Sequence, residues 1–213
     1  MLYKKEDCFL PPIKKFNKES IIEVAYNIAM KDGLEGINAR RIASILHSSV
    51  NPIFNNFKNM EELKKEVYNK IYELYKSYML REDSSENKYK QTGLNYIKFA
   101  KDYTEFFKII FMQATPLNVE KFIMADDAGN DVIKKGQKLT GFSFEEQKKF
   151  HSRVWIFTHG IACLVATNTV NLSDEEISEL LETTVRQMII GYKKEKENEN
   201  EKNNRSKKLN ERV

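Results

Sequence analysis

What most constrains this chain is how rarely its helical pattern is broken. Eight glycines and four prolines are spread over 213 residues, whereas a many-stranded sheet needs a turn about every 8 to 12 residues. Between the breaks, apolar residues recur at helical spacing. Ile21, Ile22, Val24, Ala25, Ile28 and Ala29 make one such run, and Leu63, Val67, Ile71, Leu74 and Tyr78 another. The chain therefore reads as all-α. Its length suits one or two domains and is enough to bury a core without covalent staples.

Charge narrows the function. Lys plus Arg is 35 and Asp plus Glu is 31, a net charge of +4, which excludes a histone-like polycation and an acidic solvating tail. Any basic patch must be local. A mean hydropathy of −0.59 and 31% charged residues mark a soluble protein, while 41% hydrophobic content opposes wholesale disorder. Cys8 lies in a polar arm and Cys163 in an apolar run, a pattern of neither a disulfide framework nor a zinc site. Met1 to Asp7 lead into no apolar stretch of signal-peptide length, so a cytoplasmic location is expected. Between Arg153 and Asp174 the chain is uncharged over about the length of a membrane span. Thr158, His159, Gly160, Thr167, Asn168, Thr169, Asn171 and Ser173 make it too polar for one, and it reads as a buried helix followed by a turn.

Residues 1–16 form a basic arm with Lys4, Lys5, Lys14 and Lys15, and Pro11-Pro12 deny it a helix. Asn17 caps a first helix that stops at Asp32-Gly33. A second runs from Asn38 to His47. Ser49 caps a third, holding Val50, Pro52, Ile53, Phe54 and Phe57, and Asn59 caps a long fourth that links two domains. The polar stretch Arg81 to Asn87 marks the boundary, giving an N-terminal domain over 17–80 and a second over 85–192. In the second, Tyr96 to Met112 make one or two helices, followed by helices around 119–125 and 127–139. Capping boxes at Ser143-Phe144-Glu145-Glu146 and Ser173-Asp174-Glu175-Glu176 open the last two. Residues 193–213 offer no apolar face and read as a charged, disordered tail.

Asn38 to Phe57 is the informative unit: two short helices joined by a tight turn and braced by a longer one. On spacing alone such a pattern is more often an ordinary helical hairpin. Its residues say more. Gly33-Leu34-Glu35-Gly36-Ile37-Asn38-Ala39-Arg40-Arg41-Ile42-Ala43, then Ser49, Ile53-Phe54-Asn55-Asn56-Phe57 and Lys58-Asn59-Met60-Glu61-Glu62-Leu63 closely resemble the DNA-binding domain of the tetracycline-repressor (TetR) family, from about Lys14 to Asn69. Ile42-Ala43, Ser49, Phe57 and Leu63 agree with the family pattern. Asn38 stands for its Thr, His47 for its turn Gly, Ser48 for Val, Phe54 for a phosphate-contacting Tyr, Asn56 for His and Met60 for Lys. His is among the less penalised non-Gly residues at the positive φ that such a turn requires.

Phosphate contacts position a recognition helix and base edges specify its site. Arg40, Arg41 and Lys58 are placed for phosphates, with Lys14 and Lys15 of the arm in support. Asn51 and Asn55, four apart on one helix face, can each bond adenine, and Val50 and Pro52 offer apolar contact to thymine methyls. An operator with A·T pairs at the half-site centre is expected. The resemblance adds Ser49, Phe54 and Asn56 to the DNA-facing set.

Tyr96-Ile97-Lys98-Phe99-Ala100-Lys101, Phe106-Phe107-Lys108-Ile109-Ile110-Phe111-Met112 and Trp155-Ile156-Phe157-Thr158-His159-Gly160-Ile161-Ala162 resemble a TetR-family C-terminal subclass marked by a Trp and a His-Gly pair. The resemblance implies a helical regulatory domain that dimerises through its last two helices and holds a small molecule. Val154 to Val170 is apolar nearly all round and must be covered on several sides. Tyr103, Phe106, Phe107, Ile110, Phe111, Met112, Phe122, Trp155 and His159 supply the lining expected of a site for a partly apolar effector, the other reading being that most of them are plain core. His151, Trp155, His159 and Cys163 share one helix face. His151 and His159 lie about 12 Å apart along the axis, too far to share an ion. His159 with Cys163 could hold a metal together with Asp126, Asp127 or Asp131, or His159 could be a hydrogen-bonded core residue.

The chain contains no His-Glu-x-x-His, Gly-rich phosphate loop or Gly-x-Ser-x-Gly, so neither an enzyme nor a cofactor is expected. The reading is a homodimeric transcriptional regulator, a ligand-released repressor that binds a near-palindromic double-stranded DNA operator and no membrane. The other reading is a helical small-molecule or partner-binding protein whose helix-turn-helix has lost its DNA role.

Overall fold

The computed structural model describes residues 16–81, 86–113 and 127–210, which form nine α-helices and one 3-10 turn with no strand among them. The all-α expectation holds. The chain divides into two compact units, residues 1–70 and 71–213.

The first unit holds α1 (Lys18–Asp32), the 3-10 turn (Leu34–Gly36), α2 (Ala39–Ile45), α3 (Asn51–Asn56) and the start of α4 (Met60–Met79). Asn17 caps α1 by accepting from the Ser20 amide at 2.9 Å, and Gly33, at φ 67°, ends it with its N–H on the Ala29 carbonyl. Asn38 caps α2 in the same way, accepting from the Arg41 amide at 2.9 Å. Asn59 caps α4 through the Glu62 amide, while the Glu62 carboxylate takes the Lys58 amide. α1 packs against α2 and α3. The core they enclose is aliphatic: Ile21, Ala25, Ala29, Ile42, Ile53, Leu63 and Val67 are all fully buried.

The second unit begins at Ile71 within α4 and continues through α5 (Lys88–Asp102), α6 (Thr104–Phe111), α7 (Asp127–Thr140), α8 (Phe144–Ala166) and α9 (Asp174–Asn210). α5 is its centre and packs against α6, α7, α8 and α9. Both expected capping boxes form. Ser143 and Glu146 exchange their bonds at the start of α8, and Ser173 and Glu176 do so at the start of α9. Lys196 of α9 lies 2.5 Å from Glu146 and, with the Ser143 bonds, holds that carboxyl down to about 2. At Gly136, α7 approaches its neighbours so closely that a Cβ would stand 2.2 Å from Gln147 Nε2 and 3.0 Å from a Tyr89 ring carbon. Only glycine allows that approach.

Several expectations change. Ser49 does not cap α3, which starts at Asn51 with Val50 before it and no side-chain cap, because Val50 already has helical dihedrals and carries the chain straight into the helix. The division between units falls inside α4 rather than at 81–87, since one continuous helix serves both cores. Residues 193–210 are helical, not disordered. Extending a formed helix needs no new nucleus, Lys and Glu are good helix formers, and Lys196 and Glu195 reach Glu146 and Arg153 on α8. α8 stops at Ala166, ahead of Asn168 at φ 52°. The expected helix at 119–125, with Phe122 and Asp126, lies outside the described residues, as do Lys14 and Lys15.

Candidate nucleic-acid interface and effector site

The turn between α2 and α3 is built by backbone bonds. His47 adopts φ 51°, its N–H bonds the Ser44 carbonyl at 3.2 Å, and the Ser48 N–H bonds the Ala43 carbonyl at 2.9 Å. Those two bonds and the left-handed residue between them make a Schellman turn. Its effect is to stop α2 sharply and redirect the chain into α3, as the resemblance requires of His47.

At about 100° per residue, Ile53 points inward and is fully buried, while Asn51 and Asn55 fall on the opposite face and Phe54 on the flank beside Asn51, all three exposed. Ser49, Arg40 and Lys58 are also exposed, and Val50 and Pro52 are half-buried. Among the described residues no hydrogen bond or ion pair engages the side chains of Arg40, Asn51, Asn55 or Lys58. Two other members of the expected set are tied down. Arg41 turns back to pair with Asp32 and reaches the Gly36 carbonyl at 3.5 Å. Asn56 donates to the Pro52 carbonyl at 2.7 Å and to the Phe16 carbonyl at 3.4 Å. Arg41 thus braces the turn ahead of α2, and Asn56 fastens α3 to the chain entering α1.

Of the effector set expected in the second unit, Phe122 lies outside the described residues, and Phe107, Phe111, Trp155 and His159 form one aromatic cluster. His159 stands at its middle. Its Nδ1 is 2.9 Å from the Tyr96 hydroxyl, its Nε2 is 3.4 Å from Cys163 Sγ, and the Trp155 indole stacks on it with centroids 4.7 Å apart. Phe107 and Phe111 pack against the same imidazole. Burial lowers the His159 pKa and raises those of Tyr96 and Cys163, so all three groups are held neutral. Phe106 and Ile110 are buried, Tyr103 stacks on Phe106 at 5.7 Å, and Met112 is exposed. Sequence reasoning missed Tyr75 and Tyr96. Tyr75 makes edge-on contacts with Tyr96, Phe99 and Phe111. Its only sequence signal is its helical spacing from Ile71 and Tyr78.

Both ring nitrogens of His159 therefore have partners, the hydrogen-bonded alternative for this residue. Asp131, one of the carboxylates considered for a metal, pairs with Lys135 at 2.9 Å. Among the described residues no group of three or more His, Cys, Asp or Glu is placed to hold a metal ion.

α8 buries Phe150, His151, Val154, Thr158, Ile161, Ala162 and Ala166 along one stripe. Ile156 and Leu164 are instead 55% and 42% exposed, with Gly160 between them, and Leu180 and Ile190 of α9 are exposed too. Among the described residues, one side of this segment is left without the cover expected of it. No helix among the described residues is long and apolar enough to cross a membrane.

No protein-family model and no curated protein matches the chain. Solved structures do. One is a TetR variant from Acinetobacter baumannii AYE in complex with minocycline, at TM-score 0.51 and 13% identity, covering 84% of this chain and 98% of that one. Another is a transcriptional regulator from Rhodococcus sp. RHA1, at TM-score 0.55 and 10% identity, covering 83% and 97%. The likeness extends over nearly the whole of both proteins and establishes a shared fold.

Proposed function

We propose that the chain is a TetR-family transcriptional regulator that acts in the cytoplasm as a homodimer, reads a near-palindromic operator through α3, and is released from DNA when an effector binds its second unit. The observation that carries the reading is the outward face of α3. A six-residue helix cannot support itself, yet here it is held by a Schellman turn and a buried Ile53 so as to expose Asn51, Phe54 and Asn55 beside the cations Arg40 and Lys58. The shared fold with two regulators supports the same assignment.

The uncovered apolar strip of Ile156, Gly160 and Leu164 with Leu180 and Ile190 suits a second copy of the chain. Two recognition helices would then enter successive major grooves about 34 to 36 Å apart. The cluster around His159 suits a partly apolar effector, with Tyr96 and His159 as its polar groups, consistent with the minocycline held by the Acinetobacter protein. An effector that favours the DNA-incompetent spacing would release the operator by population shift, and repression is the sign of regulation this implies.

Random-site selection with the full-length chain, followed by mobility shifts at low and moderate salt, tests the proposal. The expected result is a palindromic motif bound with steep salt dependence by a dimer that Ile156→Lys converts to a monomer. Selection that returns no motif would replace this reading with that of a helical ligand- or partner-binding protein.

A further inference from the structure

We propose that Phe54 is a specificity-determining residue that reads the C5-methyl group of thymine in the major groove. The inference rests on the DNA-binding reading above and concerns which bases that site selects.

Phe54 is 50% exposed although it carries one of the largest apolar side chains in the first unit. Single exposed apolar residues are ordinary on protein surfaces, but this one has a particular setting. It bounds an arc of about 100° in which Asn51 and Asn55 face away from fully buried Ile53 and Phe54, about 100° from Ile53, forms the edge beside Asn51. The exposed side of α3 is thus a pair of carboxamides with a benzyl group at their edge, and no charged side chain on the helix itself.

That composition limits what the face can recognise. A phenyl ring neither donates nor accepts a conventional hydrogen bond, so it cannot hold a phosphate oxygen or select among the polar base edges. The major-groove edges present N7, O6, O4 and amino groups, and one apolar group, the thymine methyl. Asn51 and Asn55 have the donor and acceptor pair that matches adenine N6 and N7. Adenine and thymine sit opposite each other in a pair, so a ring at the edge of two such amides is placed to meet a thymine methyl when the amides meet adenines. Arg41 is engaged by Asp32 and Asn56 by the Pro52 carbonyl, which leaves Asn51, Phe54 and Asn55 as the exposed side chains of α3.

The test uses the full-length chain and the duplex obtained by random-site selection from unmethylated DNA, so that any selected methyl belongs to thymine and not to 5-methylcytosine. Each thymine in a half-site is then replaced by deoxyuridine, which removes only the methyl group. At the contacted positions binding should weaken about fourfold per methyl, the value of one buried methyl-sized group. Phe54→Ala should bind the thymine and deoxyuridine duplexes equally. Phe54→Gln, which keeps a long side chain but replaces the ring with an amide, should do the same, with circular dichroism confirming unchanged helix in both. Wild-type binding that ignores the deoxyuridine substitution, or a thymine preference that survives in both variants, overturns the assignment of Phe54 while leaving DNA binding intact. Selection that yields no motif overturns the DNA-binding reading itself.

Discussion

The Tyr89 hydroxyl of α5 lies 2.7 Å from His151 Nδ1 of α8, in the core of the second unit. Burial drives both groups toward neutrality, pushing the tyrosine pKa far up and the histidine down to about 4. The unfolded chain, with its histidine near 6.5, therefore binds more protons than the folded one between those values. Stability conferred by keeping His151 neutral is complete above about pH 6.5 and is lost as the pH falls toward 4. Urea unfolding at pH 7 and pH 5 should differ by about 2 kcal/mol from this residue. In His151→Gln that part of the difference should vanish; an unchanged pH dependence would refute the assignment.

Arg40 and Arg41 are neighbours with different tasks. Arg40 is exposed and Arg41 is paired with Asp32. Arg40→Ala should weaken operator binding and lower the slope of log affinity against log salt by about one. Arg41→Ala should leave that slope unchanged. Its exposed ion pair is worth no more than about 1 kcal/mol of stability, measurable as a small shift in the unfolding midpoint. Equal salt slopes for the two variants would contradict the distinction.

Gly136 has the opposite sensitivity from an ordinary helical glycine. Replacing glycine by alanine in an open helix gains up to about 1 kcal/mol, but here the added methyl would meet Gln147 at 2.2 Å and Tyr89 at 3.0 Å. Gly136→Ala should destabilise the protein, overpacking of this kind costing about 1 to 3 kcal/mol. A raised thermal midpoint would show that α7 can move away at little cost.

Tyr96→Phe removes the hydroxyl that partners His159 Nδ1. A buried polar group left without its partner costs about 1 to 3 kcal/mol, and half-burial of His159 places the expected loss at the lower end. Denaturant unfolding of this variant reads the stability term. If the cluster is the effector site, a ligand that releases wild-type protein from DNA should bind Tyr96→Phe more weakly, and undiminished affinity would move the effector elsewhere.

Local chemistry made much of this fold legible. Asn17, Asn38, Asn59, Ser143 and Ser173 each cap the helix expected of them, because a capping bond joins residues two or three positions apart. His47 at positive φ belongs to the same class, since the bonds that enforce it run only from Ala43 to Ser48. Ser49 failed as a cap because Val50 continues the helical path, a choice made by the turn as a whole.

What the sequence determined by itself was therefore most of the described helices, many of their ends, and the presence of a helix-turn-helix, all governed by periodicity and by bonds spanning a few residues. Only tertiary structure decided that Arg41 turns to Asp32, that Asn56 reaches the Phe16 carbonyl, that Tyr96 meets His159 and that the break between units falls inside α4. Each of those outcomes depends on which distant side chain packing brings within about 3 Å of a given polar atom, or on how one helix is shared between two cores. Spacing along the chain carries no record of either.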